Sequence, residues 1–279
     1  MVEIKSFHKN FQYIEINNQS ACAKIALQGA HLFEYKEHTK KELFWLSSET
    51  KFEKNVAIRG GIPLCWPSFG TNNSNLPQHG FARTSLFNLK SYCEIDAHTT
   101  ELIFTLSASL LTREIWDYNF ELEVKFTISD TLSIELTTKN LDSKEFMLTQ
   151  ALHSYFQISD ISQIRIKGLK GKPYFDALTN TKKTLQDNIK FTEEFDAVFF
   201  DTNKQILLQD QNKTLEITTE GSTSSVVWNP WIKKCSQMSA MTPQAYKKFV
   251  CIESANAYED FKLLQVQDSH TLKATFKTL

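Results

Sequence analysis

The strongest constraint on the fold is strict alternation between residues 120 and 136. Phe120, Leu122, Val124, Phe126 and Ile128 are interleaved with Glu121, Glu123, Lys125 and Thr127. After Asp130-Thr131 the same period resumes at Leu132, Ile134 and Leu136. Side chains on a strand point alternately to opposite faces, so this pattern buries one face and solvates the other. It predicts an antiparallel hairpin turning at 130–131.

The period recurs at Leu102, Phe104 and Leu106, at Ile164 and Ile166, at Leu215 and Ile217, and from Thr271 to Leu279. About fifteen or more strands are expected, at the spacing of a sandwich or barrel. Helical signals are few. Thr242-Pro243 reads as a cap followed by proline at the first helical position, which predicts one short helix over 243–248. Strands do not alternate with helices, which disfavours a doubly wound parallel sheet. The 21 phenylalanines suit the space between two sheets. The polar stretch 179–194 is expected to be a surface excursion. With no repeat, low-complexity run or proline-rich linker, residues 1–279 are read as a single all-β domain, a large antiparallel sandwich.

A net charge of −1 leaves no general attraction for nucleic acid or an anionic membrane, so any anion site must be local. No segment approaches the roughly 18 consecutive apolar residues of a membrane-spanning helix. Cysteines 22, 65, 93, 235 and 251 form no CxxC pair or metal-ligand spacing. The first residues lack the apolar stretch of a signal peptide. A cytoplasmic chain with reduced thiols and no metal is therefore expected, and a monomer rather than an oligomer.

Four islands break the strand pattern. Arg59-Gly-Gly-Ile-Pro-Leu-Cys-Trp-Pro-Ser-Phe-Gly70 and Leu76-Pro-Gln-His-Gly-Phe-Ala-Arg83 hold four of the eight glycines and three of the six prolines. Such residues set unusual backbone angles, while the arginines, with their forked donors, suit an anion. The third island is Gln150-Ala-Leu-His-Ser-Tyr-Phe156, with His153 facing away from Leu152 and Ser154. The fourth runs from Val226-Val-Trp-Asn-Pro-Trp231 to Val250-Cys-Ile-Glu-Ser-Ala-Asn256. There Glu253 ends an apolar run, and its carboxylate needs either solvent or a partner in a pocket.

These segments, in this order, resemble the aldose 1-epimerase (mutarotase) family, and within it the hexose-6-phosphate mutarotases. The resemblance extends from about residue 20 to the C-terminus. The first two islands and Trp-Asn-Pro-Trp are its most specific parts. The family fold, a large antiparallel β-sandwich, agrees with the independent period-2 reading.

The resemblance implies interconversion of the α and β anomers of a sugar or sugar phosphate by ring opening and reclosure. This chemistry needs one base and one acid and no cofactor. Glu253 matches the family's base and His153 its acid. His79 matches a second pocket histidine, and either imidazole can serve the ring oxygen. Asp196 matches a hydroxyl-binding aspartate, and Arg59 and Arg83 line the pocket, where they suit a phosphate dianion. Gln78 and Trp231 are expected sugar contacts. The alternatives are a mutarotase for free aldoses such as galactose and a non-catalytic carbohydrate-binding protein. The chain departs from the family at Ala197 and Phe199, where Asp-Arg-Val-Tyr is usual, and at Ala240, where aspartate is usual.

Overall fold

The predicted hairpin forms as read. In a computed structural model, which describes residues 1–71, 75–202, 205–211 and 213–279, strand Phe120–Ile128 pairs antiparallel with Leu132–Asn140, Val124 opposite Leu136 and Phe126 opposite Ile134. Every second residue of both strands is buried through most of their length. They lie within an eight-stranded sheet ordered Arg165–Lys167, Ile206–Asp210, Lys213–Glu220, Ser269–Thr278, Leu132–Asn140, Phe120–Ile128, Thr100–Ser107, Asn88–Glu94.

The second large sheet runs Thr181–Thr184, Pro173–Asp176, Phe195–Phe200, Ser224–Asn229, Phe249–Asn256, Gln150–Leu152, Leu64–Cys65; Tyr155–Gln157 also pairs with Phe249–Asn256. The two sheets face each other across an aromatic core. Phe156 of the second packs on Phe276 of the first, ring centroids 5.6 Å apart. Polar contacts cross the same gap: Trp66 donates its indole N–H to Thr138 Oγ1 at 2.8 Å in a buried bond, and the hydroxyls of Thr219 and Ser254 meet at 2.6 Å. A four-stranded sheet, Val2–Ser6, Gln12–Asn17, Ala21–Ala26 and His31–Glu37, begins the chain. Twenty-two strands are present among the described residues, arranged as the expected antiparallel sandwich.

The helices differ from the sequence reading. Only a 3₁₀ turn, Ala245–Lys247, forms within 243–248. Asn229 Nδ2 donates to the carbonyls of Tyr246 and Phe249, both at 2.9 Å. Within the turn, Lys247 and Lys248 donate to the i−3 carbonyls of Gln244 and Ala245, and Phe249 already begins a strand. Two short α-helices, Leu110–Ile115 and Trp231–Gln237, were not foreseen. Ser109 starts the first through a capping box with Thr112.

The excursion at 179–194 is only partly surface. Its Thr181–Thr184 strand is an exposed sheet edge carrying Lys182 and Lys183, charges that discourage further strand pairing. Ile189 and Phe191 are buried. No helix among the described residues is long and apolar enough to cross a membrane.

Candidate active site

Strand Phe249–Asn256 is buried on both faces. One face, with Val250 and Ile252, joins the inter-sheet core, as do Ala197, Phe199 and Val227 on the neighbouring strands. The other face carries Glu253. Register places Glu253 opposite Val226, and Trp228 opposite Asp196. These four side chains line one cleft of about 390 Å³, a size typical of small-molecule sites. Ala197 and Phe199 thus fall on the core side, outside the cleft lining. Ala240 lies in a loop with φ of +54°, its carbonyl accepting the Ser47 hydroxyl at 2.7 Å.

His153 reaches the cleft from a break between Gln150–Leu152 and Tyr155–Gln157, two short strands that both pair with the Glu253 strand. Its backbone N–H donates to the Pro63 carbonyl at 3.1 Å. The imidazole lies flat on the Tyr155 ring, with centroids 4.7 Å apart and planes 7° apart, while Trp228 meets its edge. Nδ1 of His153 stands 3.4 Å from Oε1 of Glu253. Burial, followed by the charge of Asp196, pushes the Glu253 carboxyl well above its ordinary range. Burial, followed by His79, Arg83 and Arg59, pushes the His153 imidazole well below its own. Both shifts disfavour charge on the isolated groups.

The glycine-rich islands form the other wall. Gly80 has φ of +68°, and a Cβ there would overlap the Trp66 carbonyl, so only glycine lets these two segments close together. His79, beside it, is a non-glycine residue at φ of +63°. Its Nδ1 accepts the Gly70 backbone N–H at 3.2 Å. A nitrogen that accepts carries no proton, so the neutral ring holds its proton on Nε2. Burial, reinforced by Arg83 and Arg59, lowers its pKa to about 4. His79 is therefore a neutral N–H donor near neutral pH.

Arg59 and Arg83 both line the cleft. Arg83 donates to the Gln78 carbonyl at 2.6 Å, but among the described residues neither arginine forms an ion pair with a carboxylate. Gln78 is on the rim, and Asp196 lines the wall under the influence of Lys234. Trp231 lies outside the lining: its ring packs on Tyr246, centroids 5.2 Å apart, and the indole facing the cleft is Trp228. Alternation puts Trp228 on the same strand face as Val226, but only the strand pairing turns that face to the cleft. Tyr155 stood within a noted motif, but its stacking on His153 left no trace in the sequence. Lys234 lacked a signal because its helix was not foreseen. Among the described residues no group of three or more His, Cys, Asp or Glu is arranged to hold a metal.

The fold and cleft define a β-sandwich enzyme with a buried carboxylate–imidazole pair, a second imidazole and two guanidiniums, neither ion-paired among the described residues, in one polar pocket. The chain belongs to the aldose 1-epimerase family, whose sequence profile matches residues 12–277. A relative from Escherichia coli K12, provisionally named glucose-6-phosphate 1-epimerase, is 36% identical over 262 residues, covering 92% of this chain and 87% of its own. One from Haemophilus influenzae with the same provisional name is 30% identical over 243 residues, covering 86% and 82%. The crystal structure of a provisionally assigned mutarotase from Salmonella typhimurium superposes with a TM-score of 0.93 at 32% identity, covering 99% of this chain and 93% of that one.

Proposed function

We propose that this chain interconverts the α and β anomers of a hexose 6-phosphate, with glucose 6-phosphate as its reference substrate. The observation that carries the reading is the Glu253–His153 pair, 3.4 Å apart in a cleft that also presents Arg59 and Arg83. The carboxylate of Glu253 takes the proton from the anomeric hydroxyl. The bond from C1 to the ring oxygen breaks, its electron pair moves to that oxygen, and the oxygen takes a proton from an imidazolium at His153. With Nδ1 turned to Glu253, Nε2 is the nitrogen left for this transfer. The open aldehyde turns about C1–C2. The C5 hydroxyl then attacks the opposite face while both protons return.

His79 supports the same step by donating from Nε2 to a sugar oxygen. The two guanidiniums bind the phosphate dianion through charge-assisted forks, and Asp196 accepts from sugar hydroxyls. The acid–base pair starts and ends each cycle with one proton in total, so no cofactor is consumed.

Anomer exchange followed by NMR tests the reading. Glucose 6-phosphate is expected to exchange faster at catalytic enzyme concentration than free glucose or galactose. Equal acceleration of phosphorylated and free sugars would refute the phosphate assignment. Binding of either sugar without acceleration would refute catalysis and leave a carbohydrate-binding protein.

A further inference from the structure

The mechanism above leaves one charged residue of the cleft unused. Lys234 is presented by the helix Trp231–Gln237, which follows the strand bearing Trp228. Trp231 starts that helix with φ of +53°, its N–H donating to Asn229 Oδ1 at 2.9 Å, and its ring is anchored on Tyr246. So anchored, the helix brings the Lys234 ammonium to the cleft. It lies 3.2 Å from Glu194 Oε1, 3.6 Å from Asp196 Oδ2, and 6.0 Å from the centre of the Trp228 ring.

Those ion-pair distances exceed the ~2.7–2.9 Å of a tight charge-assisted hydrogen bond. The ammonium has three donors and no acceptor, and its side chain is 42% exposed, so it can reach a third partner. Carboxylate, ammonium and indole face therefore stand side by side. An acceptor, a donor and an apolar plate match a sugar ring, whose hydroxyls alternate with C–H surface.

We propose that Lys234 is a specificity-determining residue that, with Asp196, holds a ring hydroxyl of the hexose beside the indole of Trp228. This rests on the reading that the cleft takes a hexose, but not on which hexose or on the phosphate. Lys234 donates to the hydroxyl oxygen while Asp196 accepts the hydroxyl proton. Burial raises the Asp196 pKa, and the pairing with Lys234 opposes that rise, favouring the ionised form that accepts.

The test uses the full chain and two variants, Lys234→Met and Lys234→Arg. Anomer exchange is measured on glucose 6-phosphate, on free glucose, and on analogues of each lacking the C2, C3 or C4 hydroxyl. A hydrogen bond to a charged group corresponds to roughly 10- to 100-fold in kcat/KM. The wild type is expected to lose about that much on one deoxy analogue. Lys234→Met should lose a similar factor on the parent sugar and little more on that same analogue. Lys234→Arg should recover part of the loss. If Lys234→Met falls by the same factor on the parent and on every analogue, or stays within about twofold of wild type on the parent, the proposal is overturned. Equal wild-type rates on glucose and its phosphate would refute the phosphate reading alone, because the deoxy series on the free sugar still reports on Lys234. Acceleration of neither sugar would overturn both.

Discussion

Oε1 of Glu253 lies 3.4 Å from Nδ1 of His153, without the alignment of a hydrogen bond. The other carboxylate oxygen, Oε2, is buried with no partner among the described residues, as is His153 Nδ1. Buried polar atoms are nearly always satisfied, and exceptions concentrate where a ligand or a proton is to be handled. Here both exceptions belong to side chains that line the same cleft.

Replacing Glu253 with Gln keeps the shape but removes the proposed base. Turnover is expected to fall by about 10²- to 10⁴-fold, while ligand affinity stays within about tenfold. Saturation kinetics and calorimetric titration separate the two effects. The same variant should also change stability. A buried carboxyl with a raised pKa stabilises the fold below its unfolded pKa, and this contribution is lost as pH rises through the folded value. Glu253→Gln should therefore melt at a higher temperature than the wild type near neutral pH, and the difference should vanish in acid. A variant less stable at pH 7 would contradict the burial argument.

The pH profile follows from the directions of both shifts. The active pair carries one proton in total. Burial opposes adding a second, so the acidic limb lies well below the ordinary histidine range. It also opposes losing the shared proton, so the alkaline limb lies well above the ordinary carboxylate range. These limbs belong to the pair rather than to either residue. A kcat/KM plot is expected to be flat through neutrality. A single limb centred near 6.5, the ordinary histidine value, would show that an unperturbed imidazole governs the rate.

Arg83→Ala tests the anion-binding role. KM for glucose 6-phosphate is expected to rise roughly 10- to 100-fold, with free glucose little affected. Added salt should weaken the phosphate preference of the wild type more than that of the variant, which keeps only Arg59. Parallel losses on both sugars would instead mark Arg83 as a structural support for the Gln78–His79 loop.

Gly80→Ala tests how the wall is built. A methyl group there meets the Trp66 carbonyl at a positive φ, and strain of this kind costs about 1–3 kcal/mol. A drop of several degrees in melting temperature, with lower activity through the displaced His79, is the expected result. An unchanged melting curve would mean that the close approach of these segments is not needed.

Much of this protein was legible before any coordinates. The alternation from Phe120 to Leu136 predicted its hairpin because strand period and face burial are local properties of the chain. The glycine- and proline-rich islands marked the cleft wall because positive φ angles and close backbone approach select those residues locally. Resemblance then attached roles to His153, Glu253, His79, Asp196, Arg59 and Arg83, all of which line one cleft.

Tertiary structure alone decided which neighbours act on those groups. Trp228, rather than Trp231, faces the cleft because strand register pairs it with Asp196, and the next turn carries Trp231 away onto Tyr246. The helix expected at 243–248 is only a 3₁₀ turn because the chain enters the strand Phe249–Asn256, whose partner strands are remote in sequence. The flat contact between Tyr155 and His153, the placement of Lys234 beside Asp196, and the opposed shifts of Glu253 and His153 depend on burial and on distances between remote segments. A local pattern sets how each segment folds, but the electrostatic character of a side chain is set by whatever the rest of the chain packs around it.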